Sequence, residues 1–363
     1  MGSHGGPTAA PVSSRNEDAH SMASKAFERR QLGATSLTTS ALGFGGAPIG
    51  GFRFALSDQQ GAATVAAAFA GGVRYFDTSP YYGYGRSELL FGQGLRPHPR
   101  PEFVLSTKVG RWMTPLKDGE RVEGWRAGGL PFKATFDYSR DGTLRSLEQS
   151  MLRLGLPRID IALIHDADVH THGSVAEAER RFKEAMAGSY PALSELRRAG
   201  VIKAIGVGLN ETAMSLRFAR EADLDCIMLA GRYTLLEQGA LDELLPLCEK
   251  KNMSMLLAAP LNSGILATGA RAGASYDYKP APPQILDKVR RIEAVCARHR
   301  VDLTTAALQF PLAHPRLASM VVGALQPTEV ADNLARLARA IPSELWRELK
   351  AEKLLAEAAP VPV

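Results

Sequence analysis

Three short apolar runs in this chain end in ionisable side chains. One reads Tyr75-Phe76-Asp77-Thr78-Ser79-Pro80-Tyr81-Tyr82-Gly83, the next Leu105-Ser106-Thr107-Lys108, and the third Leu163-Ile164-His165-Asp166. Together they supply a carboxylate, a phenol, an ammonium and an imidazole. Hydride delivery to a carbonyl carbon builds negative charge on oxygen, which must then be protonated. A phenol can serve as that acid if a neighbouring ammonium draws its pKa down from about 10. A carboxylate paired with the ammonium fixes it in place. An imidazole can donate a hydrogen bond that orients the substrate oxygen, and in the oxidative direction the phenol accepts the proton. Taken singly, a Lys or His at a strand end is more often structural, so the weight lies in their convergence.

That convergence needs a scaffold. Eight β-like runs, at 41–47, 73–79, 103–109, 159–166, 202–209, 225–231, 254–261 and 319–325, alternate with amphipathic stretches such as 142–156, 212–221 and 283–299. Most of the runs are continuously apolar, as strands covered on both faces are. Eight such repeats predict an α/β fold, a closed (β/α)8 TIM barrel with its active site at the C-terminal ends of the strands. A Gly-centred hairpin at 30–37 is expected to close the opposite end, and helices around 285–299 and 343–357 are additions to the repeat. Two connections, 110–141 and the one starting at Asp166, are long and lie over the mouth. The first carries Trp112, Trp125, Phe132, Phe136 and Tyr138. Trp112 and Trp125 are candidates for an aromatic substrate wall; packing of the loop onto the barrel accounts for them equally well.

The 363 residues suit one large domain: a Gly/Ser/Ala/Pro-rich leader over 1–28, a barrel over 29–358 and a short Pro-containing tail over 359–363. No apolar run approaches the roughly 18 residues of a membrane span, and no signal-peptide pattern opens the chain, so no membrane role and a cytoplasmic location are expected. Cys226, Cys248 and Cys296 are scattered and odd in number, which argues for buried thiols over disulfides or a metal site. The net charge of +5 is spread along the chain without a basic, aromatic-interleaved run, so no nucleic-acid partner is expected. Gly43-Phe44-Gly45-Gly46-Ala47-Pro48 and Gly83-Tyr84-Gly85-Arg86-Ser87-Glu88 both lack the third glycine of a Rossmann turn. A dinucleotide would instead lie across the barrel mouth.

Asp77, Tyr82 five residues on, then Lys108 and His165 resemble, in order and spacing, the catalytic tetrad of the aldo-keto reductases. Leu32-Gly33-Ala34-Thr35 and Leu42-Gly43-Phe44-Gly45 are similar to motifs of that family, and the likeness spans roughly 29–340. It implies that Tyr82 is the acid/base and that Tyr81, with Tyr82 and His165, lines the substrate site. It further implies a nicotinamide cofactor. Gly46 and Ala47 would lie by the nicotinamide ribose, with Asp77 beside them, and Asn210 by the carboxamide. Tyr233, near the end of the sixth strand, would contact the cofactor, and Pro260, Leu261, Ser263, Gly264 and Leu266 would lie over the phosphates. Asp332 and Asn333 would hold the adenine end. Where family members that prefer NADP carry a Lys and an Arg for the 2′-phosphate, this chain has Gly323 and Glu329. The lost cations and the gained carboxylate favour NAD, with NADP as the alternative if Arg232 serves the phosphate. The segments Leu229–Gln238 and Gly206–Glu211 resemble the aldose 1-dehydrogenase branch. That likeness implies oxidation of an aldose hemiacetal at C1 to a lactone. Pyridoxal 4-dehydrogenation is the alternative within the enzymes, and a cofactor-binding scaffold subunit with little turnover is the alternative outside them. The substrate is a small molecule on either enzymatic reading; the oligomeric state is not legible.

Overall fold

The computed structural model describes residues 27–121 and 128–362. Two short antiparallel strands, β1 (Arg29–Gln31) and β2 (Thr38–Ser40), come first. Eight parallel strands then close into a barrel: β3 (Leu42–Gly45), β4 (Tyr75–Asp77), β5 (Val104–Val109), β8 (Ile161–His165), β9 (Ala204–Leu209), β10 (Cys226–Ala230), β11 (Ser254–Ala258) and β14 (Leu317–Val322). Each overlaps one of the eight runs read from the sequence, the last starting two residues before its run. Between β5 and β8 lies a hairpin of β6 (Arg111–Pro115) and β7 (Phe132–Phe136), and after β11 a smaller one of β12 (Ser275–Tyr276) and β13 (Lys279–Pro280). The described parts of the connection 110–141 therefore include a two-stranded β-ribbon, which its apolar content alone did not announce. Trp125 lies outside the described residues.

The helices between strands start where the sequence provides caps. Ser57, Ser139, Ser174 and Asp302 each accept a hydrogen bond from a backbone N–H in the first turn of the helix that follows. The helix Arg140–Leu154 ends at Gly155, whose φ of 60° is the left-handed cap position. The expected 343–357 helix stops at Ala351, and the chain then runs on in turns that bury Leu354, Leu355 and Ala359.

Strand alternation divides the core in two. Tyr75, Val104, Ile161, Leu163, Met228 and Leu256 point into the barrel, together with Leu32 from the first hairpin. Their neighbours Phe76, Leu105, Ala162, Ile164, Ile227 and Leu257 point outward and pack beneath the helices. The first hairpin closes the N-terminal end. Gly33 turns there with φ of 54°, donates to the Ser254 hydroxyl at 2.7 Å, and a Cβ on it would lie 2.6 Å from the Asp225 carbonyl. Cys226, Cys248 and Cys296 are buried and unbridged. Among the described residues no helix is long and apolar enough to cross a membrane.

Candidate active site

The same alternation aims the chemistry. Tyr75 points into the barrel, so Asp77, two residues on and last in β4, does too. In β5 the inward set is Val104, Ser106 and Lys108; in β8 it is Ile161, Leu163 and His165. Three strands thus deliver a carboxylate, an ammonium and an imidazole to the inner rim of one mouth. β9 presents Gly206 and Gly208 at its inward positions, and a Cβ on Gly208 would lie in ordinary contact with Lys108 Cε at 3.5 Å and His165 Cδ2 at 3.7 Å.

Lys108 Nζ donates to Asp77 Oδ2 at 2.7 Å and to the Thr78 carbonyl at 2.8 Å, and both charged side chains are almost completely buried. The second Asp77 oxygen accepts from the Ser106 hydroxyl at 2.7 Å, which sits 2.9 Å from the Tyr75 hydroxyl. Buried charges at this depth are tolerable only when paired and hydrogen-bonded. Tyr82 follows β4 in a tight loop, its amide donating to the Ser79 carbonyl. The Lys108 ammonium lies 4.6 Å from the centroid of its ring, and the His165 ring meets it edge-on with centroids 6.0 Å apart.

The direction of the Tyr82 pKa differs from the sequence expectation. Burial, with the Asp77 and Asp166 carboxylates nearby, holds the phenol well above its usual value, and Arg111 opposes this only in part. The ammonium meant to lower it is already engaged by Asp77. Burial, followed by the Arg111 and Lys108 cations, holds the His165 imidazole well below its usual value, so it is neutral. The pocket accordingly presents a protonated phenol and an uncharged imidazole.

Arg111 and Asp166 complete the site. Their ion pair spans 2.8 Å, and Arg111 Nη1 lies 3.1 Å from His165 Nδ1. Asp166 has φ of 55° and also accepts from Asn210 Nδ2 at 3.0 Å. Neither residue was singled out from sequence; the only signal was their position just beyond two strands that end in chemistry. Outward from Arg111 opens a cleft of about 350 Å³, walled by Tyr81, Tyr84, Phe136, Ala134 and Thr171, with Glu120, Arg121 and Lys133 at its rim. Tyr81 lines it. Trp112 does not. Because Arg111 and Met113 face the mouth, Trp112 between them faces the helix Arg140–Leu154, where Arg145 stacks on it at 4.3 Å.

A second, narrower cleft adjoins the mouth on the β10 and β11 side, lined by His170, Asn210, Ala230, Gly231, Arg232, Ala259, Asn262, Ser263, Asp277 and Tyr278. Small residues form its floor, and a Cβ on Gly264 at its edge would meet nothing within 4 Å. The cleft is small, about 10 Å³, and the Asn210 and Asn262 amides at its wall already donate, to Asp166 and Asp168 and to the Gly231 carbonyl, so a nicotinamide dinucleotide would have to exchange these bonds and widen the cleft to enter it. Of the residues expected to hold one, Asn210 and Ser263 line this cleft, and Pro260, Leu261 and Gly264 flank it. Leu266 is buried in the core behind. Gly46, whose amide donates to the Asp77 carbonyl, and Ala47, which packs by Tyr81 and Tyr82, lie on the opposite rim. Gly323 stands at the end of β14 against Pro48, and Glu329, Asp332 and Asn333 occupy the helix Pro327–Leu337. Tyr233 is the exception. The chain turns at Gly231 (φ 68°), sends Arg232 to the cleft, and buries Tyr233 in the core against Phe310 and His314. Tyr278, at the tip of the β12–β13 hairpin, packs edge-on against Phe52 across the mouth and was not anticipated.

Comparison with known proteins agrees with this geometry. The profile of the aldo/keto reductase family matches residues 41–352. The chain is 41% identical to a pyridoxal 4-dehydrogenase of Microbacterium luteolum, covering 91% of this chain and 99% of that one. It is 39% identical to a D-threo-aldose 1-dehydrogenase of a Pseudomonas species, covering 89% and 96%. Among solved structures, the holo form of aldo-keto reductase AKR11C1 from Bacillus halodurans superposes with a TM-score of 0.70 at 22% identity, covering 92% of this chain and 98% of that chain, a likeness of fold. The barrel, its charged mouth and these matches together make the chain a member of the aldo/keto reductase family, an oxidoreductase.

Proposed function

We propose that this protein is an NAD-dependent dehydrogenase that oxidises an aldose hemiacetal at C1 to the lactone. The observation that carries the reading is the meeting of Tyr82, Lys108, Asp77 and His165 at one mouth beside a narrow polar cleft. A nicotinamide cofactor, when bound, supplies the hydride acceptor. His165 orients the anomeric oxygen, and Tyr82 takes its proton as the C1–H bond breaks and C1=O forms. Lys108, held by Asp77, keeps that carboxylate neutralised beside the phenol, so the negative charge Tyr82 carries as base does not face an unpaired one. Because the phenol starts out protonated, oxidation should accelerate as pH rises through the alkaline range, while the reverse reduction should not. Equal pH dependence in the two directions would remove Tyr82 from the role.

The NAD preference rests on Glu329. Its carboxylate accepts from the Leu325 amide at 2.8 Å and so is held at the start of its helix. Arg232, the cation that could have served a 2′-phosphate, is already engaged by Asp277 at 2.8 Å and by the Asn210 carbonyl at 3.0 Å. A screened charge pair is worth about 1–2 kcal/mol, so Glu329→Lys should shift the NAD-to-NADP ratio of kcat/KM by roughly tenfold or more toward NADP. An unchanged ratio would remove Glu329 from the cofactor site.

Pyridoxal, itself a hemiacetal in water, is the second reading. It is favoured by the 41% identical relative of that name and by the flat aromatic walls of the outer cleft. The deciding experiment follows NADH formation at 340 nm with a panel of aldoses and pyridoxal. Turnover of pyridoxal alone would replace the first reading. Tight cofactor binding without turnover of either would favour a scaffold subunit.

A further inference from the structure

We propose that Arg111 is a positioning residue for the reaction: its guanidinium fixes His165 as the tautomer that carries its proton on Nε2. The proposal rests on the reading of His165 as a hydrogen-bond donor to the substrate oxygen.

The position of Arg111 is dictated by a turn. Gly110 is the single residue between β5 and β6, has φ of 100°, and would place a Cβ 2.4 Å from the Tyr138 ring. Glycine therefore makes the reversal that folds β6 back over the mouth. Arg111 opens β6 and is 4% exposed. Its guanidinium lies 4.3 Å from the centroid of Tyr81 and 4.2 Å from that of Phe136, a sandwich that leaves it little rotational freedom. Asp166 fixes Nη2 at 2.8 Å. The other terminal nitrogen, Nη1, is thereby delivered to His165 Nδ1 at 3.1 Å.

A guanidinium can only donate, so Nδ1 must accept. In a neutral imidazole the proton then sits on Nε2. The Ser79 hydroxyl, 3.4 Å from the same Nδ1, can serve either tautomer and does not decide between them. The charged and titratable groups facing the ring are Arg111 from β6, Lys108 from β5, Tyr82 from the loop after β4, and Asp166 itself, whose Oδ1 lies 3.5 Å from Nε2. Two cations keep the ring neutral, and one of them also chooses the nitrogen that bears the proton. Without Arg111, Asp166 would keep only the Asn210 amide, lose its cationic partner and become a carboxylate that favours imidazolium, and Nδ1–H could turn to Ser79. The donor required at Nε2 would then be only partly populated.

The test reads the tautomer directly. In protein labelled with 15N-histidine, with the His165 signals assigned by comparison with His165→Asn, the wild type should show a bare Nδ1 and a protonated Nε2 throughout the neutral range. Arg111→Met should give mixed tautomers or a charged ring there. Its kcat should fall by about ten- to a hundredfold, and the acid limb of kcat/KM should move to higher pH by roughly one unit, with the Kd for NAD within about twofold of wild type. Arg111→Lys keeps the charge without the fork; it should restore most of the limb position but not the single tautomer. An unchanged Nε2–H tautomer in Arg111→Met, or an acid limb that does not move, would overturn the proposal. Should the tautomer shift while no hemiacetal is turned over by the wild type, the substrate reading fails and the role of Arg111 stands.

Discussion

The two ends of this barrel are built on the same strands and behave as opposites. At the N-terminal end the inward positions hold Tyr75, Val104, Ile161, Met228 and Leu256, sealed by Leu32 from the first hairpin. One or two pleats further along, the same alternation delivers Asp77, Lys108 and His165. Burial of the lower layer contributes stability at about 25 cal/mol per Å² of apolar surface. Burial of the upper layer costs several kcal/mol per charge and is offset only by specific partners: Asp77 for Lys108, and Asp166 for Arg111. One end can therefore tolerate changes of shape that keep its volume, while the other depends on individual atoms.

Substitutions at the two ends should separate stability from turnover. The largest effect belongs to Tyr82→Phe. It should reduce kcat by about 10²–10⁴-fold with the melting temperature and NAD affinity nearly unchanged, because the ring packing is kept. Full activity in that variant would reassign the acid/base. Lys108→Met strands the buried Asp77 carboxylate and should cost about 3–5 kcal/mol of stability in denaturant unfolding, in addition to abolishing turnover. If unfolding is unaffected, the pair is not the element that allows charge at this depth. Leu32→Ala at the opposite end should cost about 2–4 kcal/mol through the cavity it leaves, while kcat per folded molecule stays at the wild-type value. A matching loss of kcat would mean that the N-terminal plug is coupled to the mouth.

The same contrast explains what could be read in advance. Strand positions, and the arrival of Asp77, Lys108 and His165 at one mouth, were legible because both follow local rules: apolar runs between polar ones, and side chains that alternate along each strand. The β-ribbon over the mouth was not, because it depends on one reversal at Gly110 that no periodicity marks. From that reversal follow both the misplacement of Trp112, which the pleat turns toward Arg145, and the silence about Arg111. Tyr233 failed for a similar reason: the turn at Gly231 moves it one residue out of phase, into the core. The direction of the Tyr82 pKa required distances as well as residue types, since a cation already paired at 2.7 Å does little for a third group.

A histidine at each end sharpens the comparison further. Burial holds both His165 and His314 neutral, but at the mouth two cations assist, whereas His314, just before β14, has burial as its main cause and is lowered to about 4. Its Nδ1 accepts from the Arg316 amide at 3.1 Å and its ring packs on Tyr233. The unfolded chain binds a proton at an ordinary histidine near pH 6.5, the folded protein only near 4. Stability from this site is thus intact above pH 6.5 and is lost as pH falls toward 4, by on the order of 2 kcal/mol after allowance for partial solvent contact. His314→Asn, whose side-chain oxygen can take over the Arg316 bond, should flatten that part of the stability curve and leave the pH profile of kcat untouched, since the tetrad lies at the other end. Urea unfolding of both proteins at pH 7 and pH 4.5 measures the difference. If the two lose stability equally, the acid sensitivity of the fold lies elsewhere, and the N-terminal end is as indifferent to protons as its apolar layer suggests.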